Sequence, residues 1–169
     1  MTPNSWKRQL MDLTDLTDAY QRLVKAAEGI TDASPITDAE RADVAWLLAH
    51  IALSDRVLTT AARELLGGAT SVVVDNQPAM DTRAIDDLIA GTTHLQRIEV
   101  LHRNAVELMD LLDLMPESAW SADVELRIHD RDGRHVSDSQ LTWSGLIDIR
   151  AKQNIPGHAV RLAELGNRG

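Results

Sequence analysis

Apolar residues at steps of three and four are the first pattern in the chain. Trp6, Leu10, Leu13, Leu16, Tyr20, Leu23 and Ala27 follow it and predict one face of a long helix. "TDASPITD" then breaks the pattern with Pro35 and small polar residues. Thr37 and Glu40 form a capping-box pair at the start of a second segment. From Val44 to Leu53 that segment has a single polar residue, His50. A helix apolar on nearly all sides is a central, buried one. The pattern carries it to Leu66, and Gly67–Gly68 supplies a stop.

The next stretch, "ATSVVVDNQPAM", has strand propensity but is short and has no nearby partner, so it reads as a connection. A short amphipathic helix follows, with Ala84, Ile85, Leu88 and Ile89 on one side and Gly91 at its end. A third long helix starts near Thr93, with Gln96 as a box partner. Leu95, Ile98, Leu101, Ala105, Leu108 and Leu112 are its predicted core stripe, and Pro116 closes it. The period then changes to two. "VELRIHD" alternates, and Asp132–Gly133 marks a hairpin turn before a returning strand towards Leu141. A last helix is predicted from Thr142 to about Leu165. The expected fold is all-α: a single domain over residues 1–169, a four-helix bundle with a short extra helix and a β-hairpin before the last helix. Such a hairpin is marginal alone and should pack on the bundle end or on a partner chain.

Composition narrows the chemistry. The chain has no Phe and no Cys, and its formal net charge is −9. Leu, Ala, Val and Ile must fill the core. An acidic chain repels phosphate backbones, so no nucleic-acid partner is expected. Without cysteine there is no disulfide, no thiolate nucleophile and no Cys-based zinc site. No apolar stretch reaches the roughly 20 residues that span a bilayer. "MTPNSWKRQLMDLT" lacks the apolar centre of a signal peptide, so a cytoplasmic protein with no membrane partner is expected. No phosphate loop, dinucleotide fingerprint, nucleophile elbow or HExxH pattern occurs.

Two histidines stand out. His50 interrupts the apolar second helix, and His158 follows Pro156 and Gly157 in "QNIPGHAVRLAEL". Each has an ordinary reading as a neutral, hydrogen-bonded imidazole in packed surroundings. Each also suits a metal or catalytic site between facing helices. Asn154 lies four residues before His158, on the same helical face. Pro156 leaves two local structures open. In a helix interior it deletes the bond to the Lys152 carbonyl and kinks the axis. Alternatively Asn154 caps a fresh segment with Pro156 in its first turn. His94 and His102 are eight apart and read as solvated. His129 and His135 flank the hairpin turn, where Asp130 could meet His135.

"DVAWLLAHIALSD", "DRDGRHVSDSQLTW" and "PGHAVRLAE" together resemble segments of the DinB-like superfamily. The resemblance is to the branch containing the N-terminal domain of mycothiol-dependent maleylpyruvate isomerases, and it covers roughly Trp6 to Glu164 by order of elements. It implies a four-helix bundle that binds a divalent metal, zinc or nickel. His50 and His158 would be ligands, and the middle ligand would fall at Asn154, or at Ile155 if the spacing is three. Asparagine is a poor zinc ligand beside carboxylate or imidazole, and isoleucine offers nothing. The resemblance thus implies a metal-dependent transferase or isomerase with a weakened site. Its cosubstrate would be an external low-molecular-weight thiol of the mycothiol type, and it would act on a small-molecule substrate as a homodimer. The alternative is a non-catalytic bundle that has lost its metal and binds a small molecule or another protein.

Overall fold

The structure is a computed structural model. It describes the backbone of residues 5–168 and side chains from residue 13 onward. Its elements are α1 (Ser5–Glu28), α2 (Asp38–Leu66), β1 (Ser71–Asp75), α3 (Gln77–Met80), α4 (Thr82–Ala90), α5 (His94–Asp113), α6 (Glu117–Trp120), β2 (Asp123–His129), β3 (His135–Thr142), α7 (Trp143–Ile149) and α8 (Ile155–Gly166). A π-helical turn, Arg150–Asn154, joins α7 to α8. The chain is mostly helical, at 68%, with a small three-stranded sheet.

The long helices form where the apolar spacing placed them. Leu16, Tyr20, Leu23 and Ala27 of α1 are buried, while the Trp6 and Leu10 side chains lie outside the described residues. Thr37 and Glu40 close the predicted capping box on α2, and Thr93 and Gln96 do the same on α5. Along α5, Ile98, Leu101, Ala105, Leu108 and Leu112 are buried, but Leu95 is 69% exposed and does not belong to the stripe. Leu95 is in the first turn of α5, where the neighbouring His94 and not Leu95 meets α1 at the Ala27 carbonyl. Helix α1 packs between α8 and α5, and α2 packs on α5. Their shared core of Leu, Ala, Val and Ile also takes in Trp120 and Trp143.

The connection expected at "SVVV" is a strand. β1 pairs in parallel with β2, Val72 opposite Val124 and Val74 opposite Leu126. Its partner lies some fifty residues away, so no local signal reveals it. β2 pairs antiparallel with β3, giving the order β1-β2-β3. One face holds Val72, Val74 and Val124 against the helices. β3 is exposed along almost all its length and carries Ser137, Asp138, Ser139 and Gln140. Polar and charged side chains of this kind discourage further pairing at an open edge. The loop before β3 is closed by Asp130, whose Oδ1 accepts from the amides of Asp132 and Arg134, both at 2.9 Å. Gly133 takes φ +81°, a conformation that favours glycine.

The last helical stretch answers the question raised by Pro156. It neither stops nor restarts with a cap. Asn154 is itself helical, at φ −68° and ψ −58°, and its side chain makes no capping bond. Instead the helix widens. The Ile155 amide donates to the Arg150 carbonyl, five residues back. Proline cannot donate, and its ring collides with the carbonyl four residues earlier in a regular α-helix. A wide turn immediately before it relieves both problems and keeps the axis running. Among the described residues, no helix is long and apolar enough to cross a membrane.

Candidate functional site

The fold brings His50 and His158 together. Their ring centroids are 6.1 Å apart, and the rings meet edge to face at 83°. His50 Nδ1 lies 2.8 Å from the Ala79 carbonyl. A carbonyl can only accept, so Nδ1 carries the proton and Nε2 keeps its lone pair. Ala79 belongs to α3, directly after β1, so the unforeseen strand fixes the tautomer of the predicted histidine. This is how a metal-binding histidine is commonly oriented, with its second nitrogen donating to a carbonyl.

Burial holds both rings neutral. It lowers the pKa of His50, aided by Arg150 and Arg131 and opposed by the Ala79 hydrogen bond. Burial, the neighbouring His50 and Arg150 together lower His158 from 6.5 to about 4. At neutral pH the two imidazoles are uncharged lone-pair donors. Trp46, one turn before His50 on α2, stacks on its ring at 5.0 Å and 13°. The Arg131 guanidinium, from the loop between β2 and β3, sits 4.0 Å from the Trp46 centroid. Arg131 also approaches Asp43 at 3.8 Å. The hairpin is thereby tied to α2 beside the histidines.

Asn154 is exposed to solvent, and Ile155, the other candidate for the middle position, is buried. Among the described residues no group of three His, Cys, Asp or Glu side chains is placed to hold a metal ion. The donor set therefore fits two of the three positions that the family resemblance implies. The remaining histidines are elsewhere. His102 is exposed. His94 is half-buried, with Nε2 2.9 Å from the Ala27 carbonyl, so it is not simply solvated. His135 pairs with Asp138 at 2.7 Å and not with Asp130, which is occupied in closing its own loop. His129 faces Asp75 at 3.0 Å.

A second polar group lies deeper, between α1, α2 and the π turn, and no local sequence pattern marks it. Tyr20 donates to Asp55 Oδ1. Arg150 donates to the same oxygen at 2.6 Å, to Ser54 Oγ at 3.0 Å and to the Tyr20 hydroxyl at 3.4 Å. Asp55 is fully buried and Arg150 is 5% exposed. Burial raises the Asp55 carboxyl, with Arg150 and Tyr20 pulling it back down. The Tyr20 hydroxyl is pushed up by burial and stays protonated. Asp55 lies in "AHIALSD", one turn beyond His50, but its partners are 35 and 95 positions away.

The π turn links the two groups. A π turn takes about one residue more than the 3.6 of an α turn. One of each spans about eight residues, the separation of Arg150 and His158. Both side chains therefore face α2. In an unbroken α-helix that spacing would drift about 80° past two turns.

Comparison of the chain with protein-family models, curated proteins and solved structures gave no match.

Proposed function

We propose that the protein is a DinB-like four-helix bundle whose His50–His158 pair is the centre of a small-molecule site. It would work as a metal-assisted thiol transferase or isomerase with two protein ligands in place of three. The observation that supports this is the pairing of two neutral imidazoles, one with its proton committed to the Ala79 carbonyl. His50 Nε2 and a ring nitrogen of His158 would hold the divalent ion. A bound ion lowers the pKa of a thiol that coordinates it. Two imidazoles make a weak zinc site, so an external thiol supplies a further ligand and binds together with the metal. The absence of cysteine agrees with a thiol that arrives as cosubstrate. The protein acts as a homodimer in this reading, which sedimentation of the purified chain would check.

The second reading is a metal-free bundle that binds a small molecule or another protein. The exposed Asn154 side chain and the buried Ile155 favour it, because neither completes a ligand set. Competition against a chromophoric chelator separates the two. Zinc affinity of the untagged chain should rise at least tenfold when a low-molecular-weight thiol is added beyond what the thiol binds alone. No zinc uptake with thiol present would leave the metal-free reading.

A further inference from the structure

A cavity of about 200 Å³ opens beside His158. Val44, Leu47, Leu162 and Leu165 give it an apolar floor, while Arg131 and Arg161 stand on its wall. Arg161 is exposed and makes no hydrogen bond or ion pair among the described residues. Arg131 has only a long approach to Asp43 at 3.8 Å and the face of Trp46. Two guanidiniums with unspent donors thus share one small cavity in a chain whose net charge is −9.

We propose that this cavity is a subsite for a small monocarboxylate, gripped by Arg161 and Arg131 with its apolar stem on the leucine floor. A guanidinium presents a planar fork that matches a carboxylate. Asp43 also lines the cavity, so two positive charges and one negative leave a net +1. That balance suits a monoanion and penalises a dianion such as phosphate. The volume is below the roughly 300 Å³ at which drug-sized pockets begin, so it takes one end of a molecule. Gly157 is also among the lining residues, and a Cβ built there meets nothing within 4 Å.

The inference rests on the proposed function only in making the histidine pair the reacting centre towards which the carboxylate end is anchored. Binding itself requires neither metal nor thiol and is tested without them. The untagged full chain, in chelator-treated buffer at constant ionic strength, is titrated with butyrate, butyramide and inorganic phosphate. NMR follows the Trp46 indole and the His158 ring. Butyrate should shift both signals saturably, butyramide should not, and phosphate should bind at least tenfold more weakly. Arg161→Met, at an exposed position, should weaken butyrate about tenfold or more. Equal binding of butyramide, tighter binding of phosphate, or unchanged affinity in Arg161→Met would overturn the subsite. Failure of zinc uptake with butyrate binding intact would remove the metal reading and leave the subsite standing.

Discussion

The Tyr20–Asp55–Arg150 group and the His50–His158 pair share α2, about one turn apart on it, and the stretch from the π turn through α8, with α1 adding Tyr20 to the first, and they are built in opposite ways. In the first, one carboxylate oxygen, one guanidinium and one phenol bond each other away from water, while the other oxygen, Asp55 Oδ2, is buried with no hydrogen-bond partner among the described residues. Its charges cancel and its Arg donors are spent within the protein. In the second, the hydrogen bonding is deliberately incomplete: Nδ1 of His50 is committed to Ala79, and Nε2 keeps its lone pair. A cluster whose charges are paired away from solvent stabilises and positions. One that leaves lone pairs beside an open cavity can bind. Arg150 is thus bound up in the core, while His158, on the same face of the same helical stretch, is the residue proposed as a ligand.

The largest expected effect breaks the closed side. Arg150→Met should cost about 3–5 kcal/mol in urea unfolding, because it strands the Asp55 carboxylate in the core. Arg150→Met with Asp55→Leu should recover a good part of that loss, since no charge is then left unpaired. If the single variant costs nothing, the group is not the fastening described here.

A pH series sharpens the contrast. Folding holds His158 down to about 4 from 6.5, and lowers His50 as well. Below 6.5 the unfolded chain takes up protons that the folded chain refuses. Their contribution is therefore complete above about pH 6.5 and is lost as the pH falls towards 4, where His158 itself becomes charged in the fold. The difference in stability between the wild type and His158→Ala should shrink over that interval. A difference constant with pH would contradict a buried, neutral His158.

Smaller effects test the edges of the site. Arg131→Ala should cost about 0.5–1 kcal/mol through the lost contact with Trp46, and should alter Trp46 fluorescence. Asn154→Ala should change thermal stability by less than about 0.5 kcal/mol, because the side chain is exposed and caps nothing. A loss near 1 kcal/mol would reinstate Asn154 as a helix cap.

Much of the helical frame was legible because its signals are local. The Thr37–Glu40 and Thr93–Gln96 boxes lie within four residues, and the core stripes repeat within one helix. His50 and His158 were legible for the same reason, as single imidazoles in apolar runs. What escaped depends on distant partners. β1 needs β2, Asp55 needs Tyr20 and Arg150, and His50 needs a carbonyl 29 positions away. The Pro156 problem was visible, but its solution was not. Proline announces a missing donor, while the π turn that absorbs it begins at Arg150, whose side chain bonds Asp55 and Ser54, 95 and 96 positions away.

The most direct test of the account is a long-range proton–nitrogen NMR spectrum of the histidine rings, recorded before and after adding zinc with a low-molecular-weight thiol. Before addition, His50 should carry its proton on Nδ1 and His158 should be neutral at pH 7. Afterwards, Nε2 of His50 and one nitrogen of His158 should move to metal-bound positions, and the other four rings should not change. A proton found on Nε2 of His50, or zinc that leaves both rings untouched, would contradict the proposal that this pair is a metal-binding centre.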